Sequence, residues 1–293
     1  MHLHLLLLAA AAVATDLLLP LYSHPGVNGA AWSSVQQALR GTPNLDATVI
    51  INVEHGPGAP FTPADRNNWI AGGRGLGDLP NVSLVGYVHV SRCRRALDQV
   101  KADVTSWASW RRNHRINVDG IFVDEAPNDG SCLDYMTQLT NHIRRTAGLP
   151  VVVLNPGFPA TPRALDTYYK NLRPNLISAL ETCFSATSNG EDLCTGAYTI
   201  YDEHGYGTTI DNTLQPWVGV ENYASTAILV HGFHGTNGRY QANRETLSRA
   251  MGAMADRNIG AAVFATNHWI TPDAGPADIG TVAGVMASVM VNG

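Results

Sequence analysis

Eight short apolar runs, each five or six residues long, recur along the chain and each breaks off into polar residues. They occupy residues 17–22, 48–52, 83–88, 120–124, 151–155, 176–181, 227–231 and 261–266. Most are apolar on both faces, as parallel strands covered on both sides must be. Between them lie longer stretches with helical spacing. The clearest covers 96–114, where Leu97, Val100, Val104, Trp107 and Trp110 fall on one stripe, and 133–143 and 246–254 follow the same logic. Tryptophans on such a stripe are expected in the core. Alternating strands and helices predict an α/β chain, and eight units predict a single (β/α)8 TIM-type barrel, which takes about 250 residues as one unit. The 293-residue chain accommodates this, and no linker, repeat or break in composition marks a second domain.

Charge narrows the partners. With 15% charged residues and a formal charge of -5, the chain has no basic field for phosphate backbones or anionic lipid, so neither nucleic acid nor membrane is an expected partner. A neutral or cationic polymer fits better. Residues 1–14 read as a signal peptide, an apolar run too short to span a bilayer that ends in the small-x-small site Ala12-Val13-Ala14. The mature chain, 15–293, is then expected to be secreted, with a monomer as the default. Cys93, Cys132, Cys183 and Cys194 match no zinc spacing, and in a secreted chain they predict two disulfides, with Cys183–Cys194 the easier pair and Cys93–Cys132 the remainder. Asn81-Val82-Ser83 is a glycosylation sequon beside a strand. The stretch 185–223, rich in Gly, Thr, Asn and aromatics, reads as an elaborated loop of the kind barrels place around their active sites.

The strand ends carry the chemistry. In chain order they present Tyr22 and His24; Asn52 and Glu54; Tyr87 and His89; Asp124 and Glu125; Asn155; Glu181; His231 and His234; Asn267 and Trp269. A barrel brings all of these to its C-terminal mouth. Carboxylates, amides, imidazoles and aromatics with few cations suit a sugar polymer better than a phosphate ester. Glycoside cleavage needs two carboxyl groups, one to protonate the leaving oxygen and one to act as base or nucleophile. Asp124, Glu125 and Glu181 are the candidates, and both members of the adjacent pair enter the site only if the chain turns after Asp124. Tyr22, His24, Asn52, Tyr87, His89, Asn155, His231 and Asn267 are the expected substrate contacts. The residues imply no cofactor and no metal.

The runs Leu18-Leu19-Pro20-Leu21-Tyr22, Ile51-Asn52 with Gly56-Pro57-Gly58, Gly86-Tyr87-Val88, Gly120-Ile121-Phe122-Val123-Asp124-Glu125 and Asn155-Pro156-Gly157, with the strand ending in Glu181, resemble the spherulation-specific, spherulin-4-like family. That resemblance covers most of the mature chain. It implies a secreted barrel enzyme similar to the fungal endo-alpha-1,4-galactosaminidases, cutting alpha-1,4 linkages in an N-acetylgalactosamine- and galactosamine-containing polysaccharide of the galactosaminogalactan type. It also implies catalytic roles for Asp124, Glu125 and Glu181. The chain departs from the family pattern at Asn52-Val53-Glu54-His55 and at Tyr87-Val88-His89, both in the expected cleft wall. Two other readings are a carbohydrate-binding wall protein that does not cut, and a metal-dependent deacetylase using His231-x-x-His234 with Asp124.

Overall fold

The structure, a computed structural model, describes residues 15–58, 62–184, 201, 209–266 and 277–292. The expected signal peptide, Cys194 and Asn267 lie outside the described residues. Eight strands close into a barrel in chain order: β1 (Asp16–Leu21), β2 (Ala47–Ile51), β3 (Val82–His89), β4 (Gly120–Asp124), β5 (Val151–Asn155), β6 (Leu176–Cys183), β7 (Thr226–His231) and β8 (Ala261–Phe264). All neighbours pair in parallel, and β8 returns to β1 through Asp16 opposite Ala261 and Leu17 opposite Ala262. Strand residues such as Leu17, Leu18, Leu19 and Leu21 are fully buried. Each such side chain contributes about 1.5–3 kcal/mol when removed from water.

Around the barrel run α1 (Ser33–Gly41), α2 (Pro63–Gly77), α3 (Leu97–His114), α4 (Leu133–Asn141), α5 (Asp166–Asn171), the single turn α6 (Gln215–Trp217), α7 (Arg244–Asp256) and α8 (Ile279–Asn292). None of these is long and apolar enough to cross a membrane. Helix α3 shows how the layers lock. Val100, Val104, Trp107 and Trp110 form its buried stripe, and Trp107 Nε1 donates to the Tyr87 carbonyl of β3 at 2.8 Å. Arg111, Arg112 and His114 occupy its last turn, where positive charge meets the negative end of the helix dipole. Helix α2 is cued by its start rather than by a stripe: the Thr62 hydroxyl accepts from Asp65 N, and a proline opens the first turn. Its Gly72 weakens the helical signal yet permits packing, because a Cβ there would lie 2.7 Å from the Trp32 ring.

Strand β6 carries an irregularity that matters for the site. Ser178 pairs with Ala227 and Leu180 with Ile228, so Ala179 is an extra residue in β6, a bulge that re-aims the side chains beyond it. Two expectations at the periphery are corrected. Cys93 and Cys132 are free thiols, not a disulfide: they meet as hydrogen-bond partners, and Ser131 Oγ lies 3.8 Å from Cys132 Sγ. Burial pushes the Cys93 thiol well above its ordinary range. Cys183 is engaged in a disulfide. The sequon asparagine is a structural residue: Asn81 is buried and its Nδ2 donates to the carbonyls of Leu39, Thr42 and Leu45, leaving no amide for a glycan. Of the expected long loop, residues 209–225 are short helical turns held in part by Arg257, whose guanidinium grips both oxygens of Asp211.

Candidate active site

Five consecutive strands, β3 to β7, deliver one hydrogen-bonded group. Asp124 and Asn155 are the last residues of β4 and β5 and stand opposite each other in register. Asn155 Nδ2 lies 2.9 Å from Asp124 Oδ1 and 3.4 Å from Glu181 Oε2, so one amide nitrogen faces both acids. The orientation of that amide is set by its other end, since Asn155 Oδ1 accepts from Gly157 N at 3.1 Å. Gly157 in turn accepts Glu181 N at 2.8 Å, which ties the β5 end to the strand beyond the bulge. Tyr87 donates its hydroxyl to Asp124 Oδ2 at 2.6 Å, and His231, the last residue of β7, places Nε2 2.7 Å from Glu181 Oε1. Each acid is therefore held at both oxygens.

The two acids are driven apart electrostatically. Burial raises Asp124 above the ordinary carboxylate range, helped by the charge of Glu181 and opposed by the bonds from Tyr87, the Glu125 backbone and Asn155. Burial acts the same way on Glu181, but the hydrogen bond from His231, with that from Asn155, outweighs it and holds that carboxyl below its ordinary range. Desolvation, and then the charge of Asp124, push the Tyr22 and Tyr87 hydroxyls far up, so both remain protonated donors. Two carboxyl groups at one site with opposite shifts are an acid and a base in waiting.

Glu125 does not join this group. The chain does turn after Asp124, with Glu125 in the left-handed region at φ 52° and Ala126 N bonded to the Asn155 carbonyl at 3.0 Å. The turn carries the side chain to the rim, half exposed, with Oε2 3.9 Å from His89 Nδ1. The backbone holds it there: Val90 N donates to the Asp124 carbonyl at 3.0 Å and Arg92 N to the Glu125 carbonyl at 2.8 Å. Two acids, not three, share the interior, and burial rather than crowding by Glu125 is what raises Asp124.

The other expected contacts divide. Tyr22 sets its ring edge against Tyr87, 5.7 Å between centroids, and stands over both acids. Asn52 follows β2 with Oδ1 buried and unpartnered among the described residues. His89 lies at the rim with Ser91 Oγ 3.0 Å from Nδ1. His24 sits further out, its Nδ1 accepting from Gly26 N, its Nε2 3.3 Å from Asp65 and its ring edge-on to Trp69. His231 is buried against Glu181 and does not face the cleft as a free contact. Residue-by-residue reading passed over Ser91 and Arg95. The latter bonds the His89 carbonyl at 3.3 Å and Asp103 at 2.5 Å, bracing the β3 end from behind. Its signal in the sequence, an arginine eight residues before an aspartate, is too common to stand out.

A closed parallel barrel with a buried, differently tuned carboxyl pair at its strand ends defines a (β/α)8 protein with its candidate chemistry at the C-terminal mouth. The pattern of spherulation-specific family 4 matches residues 16–271, and the chain belongs to that family. Spherulin-4 of Physarum polycephalum is 36% identical over 141 residues, 48% of this chain and 39% of that protein, so the match spans well under half of the relative. Among solved structures, Aspergillus clavatus Sph3 in complex with GalNAc superposes with a TM-score of 0.68 at 22% identity, over 94% of this chain and 99% of Sph3. An endo-beta-1,4-mannanase from Thermotoga petrophila superposes with a TM-score of 0.51 at 9% identity, over 97% of this chain and 77% of the mannanase. Both show the same barrel.

Proposed function

We propose that the protein is a secreted glycoside hydrolase that cleaves alpha-1,4 linkages in a polysaccharide containing N-acetylgalactosamine and galactosamine, with Asp124 and Glu181 as the reacting carboxyl groups. The observation that carries this reading is the single Asn155 amide facing two acids that their surroundings push in opposite directions. Membership of the family and the barrel shared with Sph3, a protein solved with GalNAc bound, support the substrate class.

The roles follow from the electrostatics. Asp124, kept protonated by burial, donates its proton to the departing glycosidic oxygen. Glu181, kept ionised, attacks the anomeric carbon. Because one nitrogen touches both carboxylates, their facing oxygens lie within two hydrogen-bond lengths. This fits the roughly 5.5 Å of retaining enzymes better than the roughly 6.5–9.5 Å that leaves room for an intervening water. Asp124, now ionised, then takes a proton from the water that releases the sugar from Glu181. In an alpha-linked N-acetylgalactosamine the acetamido group is cis to the leaving oxygen and cannot attack from the back, so the enzyme must supply both groups. In this reading Glu125 and His89 at the rim contact flanking sugars, and Tyr22 offers an aromatic edge beside the acids.

The test is reducing-end release from purified N-acetylgalactosamine-rich galactosaminogalactan by wild type, Asp124→Asn and Glu181→Gln. Release by wild type, reduced about 10²–10⁴-fold in each variant, is the expected result. Binding without release by all three would make this a wall-binding protein instead.

A further inference from the structure

His231 was expected at the strand ends as a sugar contact, and its surroundings give it a different task. We infer that His231 is a positioning residue for Glu181: its Nε2–H clamps Oε1, so that Glu181 meets the cleft ionised and in one fixed orientation. The inference deepens the glycosidase reading and rests on it for the meaning of the clamp, although the clamp itself can be tested without turnover.

Three observations converge. First, the imidazole is enclosed, with the residue 8% exposed, and its carbonyl accepts from Phe184 N at 2.8 Å, so both its backbone and its ring are fixed. A sugar would find little of it to touch. Second, Nδ1 is buried with no hydrogen-bond partner among the described residues. A proton placed there would be stranded, whereas a proton on Nε2 points at a carboxylate oxygen 2.7 Å away. The surroundings thus select the tautomer that donates to Glu181, and a short bond to an ionised acceptor is among the stronger hydrogen bonds a protein makes. Third, the clamp takes one oxygen only. Glu181 Oε2 is left on the side of Asn155 Nδ2 and Gly157, where the structure also brings Asp124.

The division of labour is therefore complete without His231 touching substrate. Among the described residues, the titratable groups that bear on Glu181 and its partner acid are Asp124 from β4, Tyr22 after β1, Tyr87 from β3 and His231 itself. Of these, His231 alone bonds Glu181 directly. Removing the donor should leave a buried carboxyl with, among the described residues, the longer Asn155 bond alone to oppose desolvation, and the protonated form of Glu181 should gain.

The experiment is an NMR titration of glutamate side-chain carboxyls labelled with carbon-13 in the intact protein, with the Glu181 signal assigned through Glu181→Gln, alongside the pH profile of hydrolysis. In His231→Phe the midpoint of Glu181 should rise by about one to two pH units, and His231→Gln, which keeps a donor, should return at least half of that shift. The acid limb of kcat should move up with the midpoint, with kcat at the optimum reduced at least about ten-fold and KM changed by less than about two-fold. If His231→Phe does not fold, His231→Ala is read in the same way. An unmoved Glu181 midpoint, or a rise in KM with kcat intact, would overturn the inference and return His231 to the sugar contacts. A shifted midpoint in a protein whose wild type releases no reducing ends would uphold the clamp while removing the glycosidase reading.

Discussion

The Tyr87 hydroxyl donates to Asp124 Oδ2 across 2.6 Å, and the same strand residue hands its carbonyl to Trp107 Nε1 of α3 at 2.8 Å. One residue thereby couples a helix of the outer layer to the carboxyl group proposed as the acid. Tyr87→Phe keeps the ring and the backbone bond and removes only the donor. That donor opposes the rise of Asp124, so losing it should raise Asp124 further and move the alkaline limb of the pH–rate profile to higher pH. The profile of the wild type should be bell-shaped, rising as Glu181 ionises and falling as Asp124 ionises. A kcat loss of about ten-fold accompanies the shift, in line with the roughly 1.5–3 kcal/mol of a hydrogen bond to a charged group. An alkaline limb that stays in place would deny Asp124 the role of acid.

Gly157 supplies a second lever. It holds φ at 78°, receives Glu181 N on its carbonyl and gives its own N–H to Asn155. A Cβ at this position would meet Glu181 Oε2 in ordinary van der Waals contact at 3.8 Å. Gly157→Ala therefore tests backbone strain without a clash. Relaxing out of the left-handed region, or staying there at a cost of roughly 1–2 kcal/mol, should disturb the amide that faces both acids. We expect kcat to fall by about ten-fold, a modest misplacement effect, with a small decrease in Tm. Unchanged kcat would mean that the Asn155 amide keeps its place without this turn.

At the opposite end of the barrel, Asp16 opens β1 beside Asp46, and burial followed by that neighbouring charge pushes its carboxyl up to about 7. The folded value lies above the unfolded one, so its contribution to stability is fully present below about pH 4 and is lost as pH rises through about 7. Asp16→Asn removes the titration. Thermal unfolding should show the variant gaining on the wild type between pH 5 and pH 8, with about 2–4 °C for each kcal/mol recovered, while the difference stays small at pH 4. A Tm gap independent of pH would show that Asp16 titrates in the folded protein as it does in the unfolded chain.

Most of the frame was legible before any coordinates. Strands β4 and β5 fall on the runs 120–124 and 151–155, because a parallel strand covered on both faces leaves an unbroken apolar signature bounded by polar residues. Helix α3 was legible through its stripe. Helix α2 was not, since Gly72 and its neighbouring glycines lower helical propensity and their reason for being there, close approach to Trp32, is a tertiary fact. The same boundary runs through the site. That Asp124, Asn155, Glu181 and His231 meet at one mouth follows from barrel geometry. That His231 turns inward onto Glu181 while Glu125 turns outward to His89 depends on a bulge and a left-handed residue, and neither leaves a mark in periodicity. The free thiols of Cys93 and Cys132 belong to the same class: spacing allowed a bridge, and local geometry left a hydrogen bond.

The extra residue in β6 has a further meaning. Ahead of it the strand runs in step with β7, and beyond it Glu181 faces Leu229 and Cys183 faces His231. Were Ala179 absorbed into the ladder opposite Ile228, Leu180 would face Leu229 where Glu181 now stands, and the carboxylate would move on by one residue and change faces. The composition of the mouth would be the same and its chemistry gone. The location of this carboxylate is thus encoded in the register of one strand against the next, and a one-residue slip beyond Ser178 would silence the centre as completely as replacing the acid.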